Sequence, residues 1–278
     1  MALIVITSAK GSPGASTTAL AIAGMWPREA LLAEVDPLGS DLVYRQVHGE
    51  GGAELDPSRG MVSLALDPQA RRGLSPELVR AHSQRLPGGQ DVLLGLTSPE
   101  QAIGWKDRWS ELGRTLAAPG PGDVIADIGR VHPGSPAAGL LSHASLVLLV
   151  SRTTPEDLAH MRARAAALHS LLSPPGRRGA PVGVLLIAPL RGQAKAAEDA
   201  NKVLGAAKVE AQVAGVVAFD PKAAEQLAGR RGGKPHKTQL VSSVRHVVVN
   251  LGGRFGLGQA PQPPAVPSPA ASTEGVRR

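Results

Sequence analysis

The sequence predicts an α/β fold in which helices flank a doubly wound, mainly parallel β-sheet. Short apolar runs, partly β-branched, recur along the chain, and helical patterns and Gly/Pro turns stand between them. Continuous apolar runs are typical of strands that are covered on both faces. Their alternation with helices is typical of βαβ units in a parallel sheet. The length of 278 residues is sufficient for one large domain of this kind.

The elements follow in order along the chain. The apolar runs predict strands at 2–7, 29–37, 90–99, 122–129, 144–152, 180–190 and 213–220. Helical patterns cover 16–26, 154–172, 197–207 and 221–229. The helix at 154–172 has the clearest start, because Thr154 is a capping residue and Pro155 and two acids follow it.

The remaining segments set the domain boundaries. Gly and Pro punctuate residues 51–88, which predicts short helices and loops at one end of the sheet. We assign one domain to residues 1–257. Residues 258–278 are rich in Pro and Ala and lack apolar residues able to offset chain entropy, so they predict a disordered tail.

Composition excludes several classes of function. The chain has no cysteine, which rules out disulfides and thiolate metal sites. Its eight histidines lack metal-ligand spacing, which argues against a zinc enzyme. The apolar N-terminal run has no basic residues before it, and no run is long enough to cross a membrane, so we expect a cytoplasmic protein without a membrane span.

The formal net charge of +7 is unevenly distributed. Residues 191–254 contain eleven basic residues against five acidic ones. A basic surface of this kind fits DNA or an acidic partner, and it also fits an ordinary solvated face. The candidate DNA contacts are Arg230, Arg231, Lys234 and Lys237.

The stretch SAKGSPGASTTA, from Ser8 to Ala19, follows the first predicted strand and leads into a helix. Phosphate loops in this position combine backbone N–H groups, a helix N-terminus, a lysine and a Ser or Thr that binds Mg²⁺. The pattern G-x-x-x-x-G-K-[ST] is not met here. Aligned on Gly14, its first glycine is Ala9, its lysine is Ala15 and its hydroxyl residue is Ser16.

The segment KGSPGAST, from Lys10 to Thr17, resembles the deviant loop K-G-G-x-G-K-[ST]-T of the ParA/MinD family of P-loop ATPases. It departs from that loop where Ser12 replaces a glycine and Ala15 replaces the second lysine. LLAEVDPLGSDL resembles the family's D-x-D-P-Q-G-N segment, with Glu34 and Asp36 at the acidic positions.

Later segments continue the same resemblance. DVIADIGR resembles the Walker B strand, with Asp127 as its terminal acid. VVAFDPKAAEQLAGRRGGKP resembles a late strand, turn and helix of the family. The resemblance covers roughly residues 1–250, with a gap at 45–90. Residues 88–102 look like a segment of the TadZ/CpaE branch, whose loops are degenerate.

The resemblance implies a P-loop NTPase fold that binds ATP or ADP with Mg²⁺. It implies that Lys10 reaches the phosphates of a partner subunit in a nucleotide-dependent homodimer, and that Asp36 orients the attacking water. Ser16 would bind Mg²⁺, and Asp127 would hold it through water. The residues expected to hold the nucleotide are Lys10, Gly11, Ser12, Gly14, Ala15, Ser16 and Thr17.

The resemblance therefore implies that the protein is a nucleotide-dependent switch that positions a cargo. The cargo would be DNA, a component of the division septum, or a pilus or secretion machine. Ala15 removes a cation beside the phosphates, so we expect weak or no ATP hydrolysis. Two alternatives stay open. One is a non-catalytic scaffold that keeps the fold to bind a protein partner, and the other is a protein that binds DNA without sequence specificity.

Overall fold

A computed structural model describes residues 1–45, 54–132, 134–173 and 179–258. In this part of the chain eight strands form one sheet in the order β3-β4-β2-β5-β1-β6-β7-β8. The strands are β1 (Leu3–Ser8), β2 (Ala30–Glu34), β3 (Gln84–Arg85), β4 (Asp91–Leu93), β5 (Asp123–Arg130), β6 (Leu146–Ser151), β7 (Val182–Ala188) and β8 (Ala211–Ala218). All neighbours pair in parallel except β3 and β4, which confirms the predicted doubly wound sheet.

Helices cover both faces of the sheet. They are α1 (Ala15–Met25), α2 (Leu42–Arg45), α3 (Met61–Leu66), α4 (Pro76–Ala81), α5 (Trp109–Ala117), α6 (Ala138–Leu141), α7 (Pro155–Leu172), α8 (Gln193–Ala206), α9 (Pro221–Leu227) and α10 (Gln239–Phe255). Two separate apolar clusters fill the space between sheet and helices. Every residue of β1 and β6 is buried, as expected for central strands covered on both faces.

The sequence did not predict the helices α2, α5, α6 and α10 or the edge strand β3. The helix α10 was not predicted, although Leu240, Val244, Val247 and Leu251 recur at helical spacing and are buried. Its valines favour a strand by propensity, but packing on β8 and α1 stabilises the helix instead.

One strand is shorter than predicted. The run at 90–99 forms a strand only over β4, and residues 94–96 have no regular secondary structure. Gly60 lies against the backbone of Leu94 and has a φ of +154°, so a Cβ at this position would collide with the Leu94 carbonyl. This close approach ends the strand and docks α3 on it.

The segment between β2 and β4 contains short helices, as expected, held by a chain of polar contacts. The Ser63 hydroxyl accepts from the Gly60 amide at 3.0 Å and lies 2.7 Å from Nδ1 of His82. Nε2 of His82 lies 3.0 Å from the carboxylate of Asp67. These contacts join the start and end of α3 to the end of α4.

A buried acid anchors the opposite end of the sheet. Asp123, at the start of β5, accepts from the Ala2 amide at 2.7 Å and from Nε1 of Trp26 at 2.8 Å. The Arg28 guanidinium contacts both of its oxygens. These donors hold the pKa of Asp123 below its usual value despite the desolvation that opposes them.

The described residues include no helix long and apolar enough to cross a membrane. The predicted tail lies outside the described residues from position 259 onward.

Candidate functional site

The loop between β1 and α1 has the backbone conformation that anion binding requires. Gly11 and Gly14 have φ values of +66° and +108°, which favour glycine. The Gly14 carbonyl accepts from the Thr18 amide at 2.9 Å and so closes the first turn of α1. No side chain caps this helix N-terminus, so its first amide groups face the cavity in front of the loop and favour an anion there.

That cavity, which we call the phosphate cavity because its loop fits an anion, has a volume of about 520 Å³ and lies at the carboxyl ends of the central strands. Ligands of open α/β sheets bind at this edge. The predicted nucleotide-binding residues that line it are Gly11, Ser12, Gly14, Ala15, Ser16 and Thr17. Other lining residues come from the segment after β2, from the end of β5 and from the region around α9.

Strand register brings two acids together at the floor of the cavity. Glu34 on β2 and Asp127 on β5 are direct partners across the parallel pair, and both side chains are buried. Asp127 forms a hydrogen bond with the Ser16 side chain and accepts from the Gly129 amide at 3.0 Å. Burial raises the pKa of Asp127 above its usual value, although both hydrogen bonds oppose the shift.

The pKa of Glu34 is also raised. Burial raises its pKa to about 8, and the nearby Asp127 carboxylate adds to this effect. The Gly95 amide donates to Glu34 at 3.3 Å, the Leu42 amide donates as well, and the Arg45 guanidinium also favours the ionised form. At neutral pH Glu34 is therefore mainly protonated, and it links β2 to the two loops that follow β2 and β4.

Asp36 lies at the same edge and is partly exposed. Its carboxylate accepts from the Leu38 amide at 2.8 Å and packs against Gly129, where a Cβ would collide with it. Burial raises the pKa of Asp36 to about 6, with Asp127 adding to the shift and Arg130 opposing it. The carboxylate is thus predominantly ionised at neutral pH and faces the cavity.

Lys10 occupies a different position from the rest of the loop. It is exposed and is not among the cavity-lining residues. Its Nζ lies 3.3 Å from Nε2 of His160 on α7. Lys10 therefore supplies no charge to the phosphate cavity of its own chain in this arrangement.

The four basic residues proposed for DNA separate into two groups. Arg230 lines the phosphate cavity, whereas Arg231, Lys234 and Lys237 are exposed on the loop between α9 and α10 and do not line it. Two further arginines, Arg45 and Arg130, line the cavity and were missed as site residues. Arg45 follows the acidic segment after β2 without belonging to it, and Arg130 ends the segment DVIADIGR, in which the resemblance assigned a role only to Asp127.

A second cavity of about 340 Å³ adjoins the first. The two share lining residues from the loop and from the region of α9, including Gly14, Thr17 and Arg230. Phe219 is half exposed at its edge, and the Arg152 guanidinium lies 5.8 Å from the centre of its ring. An apolar slot beside an anion cradle matches the two halves of a nucleotide.

The residues present fit Mg²⁺ together with phosphate. Mg²⁺ usually keeps several waters and binds one or two protein oxygens in addition to substrate phosphates. The Ser16 hydroxyl and the Asp127 carboxylate supply such oxygens, and a bound cation would favour the ionised form of Asp127, which burial disfavours. Within the described ranges no three His, Asp or Glu side chains form a metal site by themselves.

Comparisons with known proteins give matches in structure only. No model of a protein family matches the sequence, and no curated protein matches it. A ParA family ATPase from Chlorobium tepidum has a TM-score of 0.65 at 18% identity, covering 89% of this chain and 97% of its own. The septum site-determining protein MinD from Pyrococcus horikoshii, complexed with Mg-ADP, has a TM-score of 0.63 at 16% identity, covering 93% and 98%.

A third structure extends the comparison. A putative plasmid partition protein from Borrelia burgdorferi, bound to AMPPNP, has a TM-score of 0.62 at 10% identity and covers 90% of this chain and 98% of its own. Each match spans nearly the whole of both chains. The chain therefore has the P-loop fold of the ParA and MinD ATPases.

Proposed function

We propose that this protein is a ParA/MinD-like nucleotide-dependent switch with a degenerate phosphate loop, which binds ATP or ADP with Mg²⁺ and hydrolyses ATP slowly. The observation that carries the proposal is the phosphate cavity itself. An uncapped helix N-terminus and a glycine loop form its wall, and Ser16 bonded to Asp127 forms its floor. Backbone amides and a hydroxyl–carboxylate pair are the donors and ligands that a Mg²⁺-bound phosphate tail requires.

The adjoining cavity supports a nucleoside as the remainder of the ligand. Its walls include Ile187 and Val217, and Phe219 with Arg152 at its rim provides a surface on which a base can stack. Asp220 caps α9 by accepting from the Ala223 amide at 3.1 Å. This cap fixes the turn that separates the base side from the phosphate side.

Slow hydrolysis follows from the charges around the reacting phosphate. Ala15 offers no cation where the family's loop lysine stands, and such a group stabilises charge that develops in the transition state. We assign to Asp36 the role of orienting water, and this assignment is supported by its place in the cavity lining and by its ionisation above about pH 6. A turnover comparable with that of ordinary ParA ATPases, abolished by Asp36→Ala, would overturn this part of the proposal.

The proposed switch acts through a homodimer. Lys10 is exposed at the rim of the site, where it is accessible to the phosphates of a second subunit, as the resemblance implies. Light scattering of the chain with Mg²⁺ and a non-hydrolysable ATP analogue should show a dimer that is absent without nucleotide. Lys10→Ala should remove the dimer and keep nucleotide binding. A monomer under both conditions would favour the alternative of a non-catalytic scaffold for a protein partner.

DNA is the cargo that one observation favours. Arg231, Lys234 and Lys237 are exposed on one loop next to Arg230, which lines the site, and a homodimer would carry two such basic loops. Binding through phosphates alone weakens steeply with salt. Electrophoretic mobility shifts at increasing salt should show this dependence, and the triple alanine variant should bind less. Undetectable or salt-insensitive binding would exclude DNA as the cargo.

A further inference from the structure

The phosphate cavity is lined by four acidic residues, Glu34, Asp36, Asp41 and Asp127, yet its loop contributes no cation. Ala15 occupies the lysine position and is nearly buried at 8% exposure. Lys10 faces His160 outside the cavity. Because Asp36 is predominantly ionised at neutral pH, a phosphate tail placed beside it requires compensating positive charge, since like charges at short range in a partly buried site repel strongly.

The described part of the chain supplies that charge from elsewhere. Arg45, Arg130 and Arg230 line the cavity. Arg130 and Arg230 are exposed, so solvent screens their charges. Arg45 differs from them, because its side chain is only 29% exposed.

The position of Arg45 is defined by its hydrogen bond with Asp41. It ends α2, and its Nη2 donates to the Asp41 carboxylate at 2.8 Å, four residues earlier in the chain. Its charge also acts on Glu34 and Asp127, where it favours the ionised forms. The guanidinium thus lines the same cavity as the carboxylate that is bonded to Ser16, and its charge acts on that carboxylate.

We propose that Arg45 supplies from within the same subunit the phosphate-binding charge that the loop lacks at Ala15. This inference rests on the proposed nucleotide function. A guanidinium suits the role because its planar donors bind phosphate oxygens in pairs and it stays charged at all working pH values. Asp41, with 69% of its side chain exposed, holds Arg45 at the cavity in the absence of phosphate.

The test compares nucleotide binding across variants by isothermal titration. The ligands are the Mg²⁺ complex of a non-hydrolysable ATP analogue and, separately, AMP, which lacks the outer phosphates. Arg45→Gln should weaken binding of the ATP analogue by about tenfold to hundredfold, as for the loss of a charged hydrogen bond. Binding of AMP should change by less than about threefold. Arg71→Ala, at an exposed arginine that does not line the cavity, is the matched control and should bind as the wild type does.

A rescue experiment separates this role from a structural one. Ala15→Lys restores the family's loop cation, so adding it to Arg45→Gln should recover most of the lost affinity for the ATP analogue. Arg45→Lys, which keeps the charge, should lose less affinity than Arg45→Gln. Circular dichroism confirms that each variant is folded.

Failure of the inference and failure of the proposed function are distinguishable. If the wild type binds the ATP analogue and Arg45→Gln binds it equally well, Arg45 is not the compensating cation and the proposed function survives. Arg45 also loses this role if Arg45→Gln weakens binding of AMP as much as binding of the ATP analogue, or if Ala15→Lys gives no recovery. If the wild type binds neither ligand, the proposed function fails and the inference fails with it.

Discussion

The buried acid Glu34 makes the stability of the fold depend on pH in a direction opposite to that of most carboxylates. Its pKa rises from an ordinary 4.5 to about 8 in the folded chain, mainly through burial. The folded state therefore holds a proton that the unfolded state releases. Stability contributed by this proton is fully present below pH 4.5 and is lost as the pH rises through about 8.

The size of the effect follows from linkage. Each pH unit between the two pKa values costs about 1.4 kcal/mol, so raising the pH from about 5 to about 7.5 lowers the free energy of unfolding by about 3 kcal/mol through Glu34. The substitution Glu34→Gln keeps the shape and the acceptor for the Gly95 amide but removes the titration. Asp36 and Asp127, whose pKa values are also raised, titrate in both proteins, and the substitution also removes the repulsion between Glu34 and Asp127.

Urea unfolding at several pH values measures this difference directly. As the pH rises from about 5 to about 7.5, the free energy of unfolding of Glu34→Gln should increase by about 3 kcal/mol relative to that of the wild type. The quantity to compare is the difference in the free energy of unfolding between the two proteins at each pH, because the contributions of groups that titrate in both largely cancel in it. Parallel curves across this range would show that Glu34 is ionised in the folded chain and would refute the reasoning.

Three further substitutions test the packing and chemistry of the site and its anchor. Gly129→Ala should displace the Asp36 carboxylate that contacts Gly129 and should therefore lower ATP turnover. The control Gly192→Ala, at a positive φ with open space around it, should cost only about 1–2 kcal/mol of backbone strain and leave turnover unchanged. Equal turnover in the two variants would contradict a role for the contact between Gly129 and Asp36. Arg28→Ala should lower the free energy of unfolding in urea by about 2–3 kcal/mol, because it leaves the fully buried Asp123 carboxylate without its cation. The control Arg85→Ala, in a more exposed ion pair, should lower it by less than about 1 kcal/mol. Similar losses in the two variants would show that burial of the pair has no effect on stability. Asp127→Asn should reduce the gain in nucleotide affinity that Mg²⁺ provides, and an unchanged dependence on Mg²⁺ in a titration would remove Asp127 from the metal site.

Much of the fold could be predicted because local patterns and tertiary packing agree. The central strands are uninterrupted apolar runs, and the start of α7 is specified by the Thr154 cap, which accepts from the Asp157 amide at 3.3 Å. In α10 the two disagree, since valine favours strands but the buried stripe from Leu240 to Leu251 packs as a helix against β8. Sequence propensity alone gives the wrong preference there.

The candidate site was only partly predictable for a related reason. Loop glycines and strand-end acids occur in contiguous motifs, so their types and spacing indicate where they meet. Arg45 reaches the cavity through the path of the chain after β2, which no short motif encodes, whereas Arg130 reaches it as the last residue of β5. The contact between Lys10 and His160 joins residues 150 positions apart, and strand order decides it rather than local sequence.

The most direct test of the account is equilibrium binding of ATP to the wild-type chain, measured with and without Mg²⁺. We expect saturable binding of ATP at one site per chain, with a higher affinity when Mg²⁺ is present, because Ser16 and Asp127 would hold the ion. Absence of binding at millimolar ATP under both conditions would contradict it and would leave the P-loop fold as a scaffold without a nucleotide.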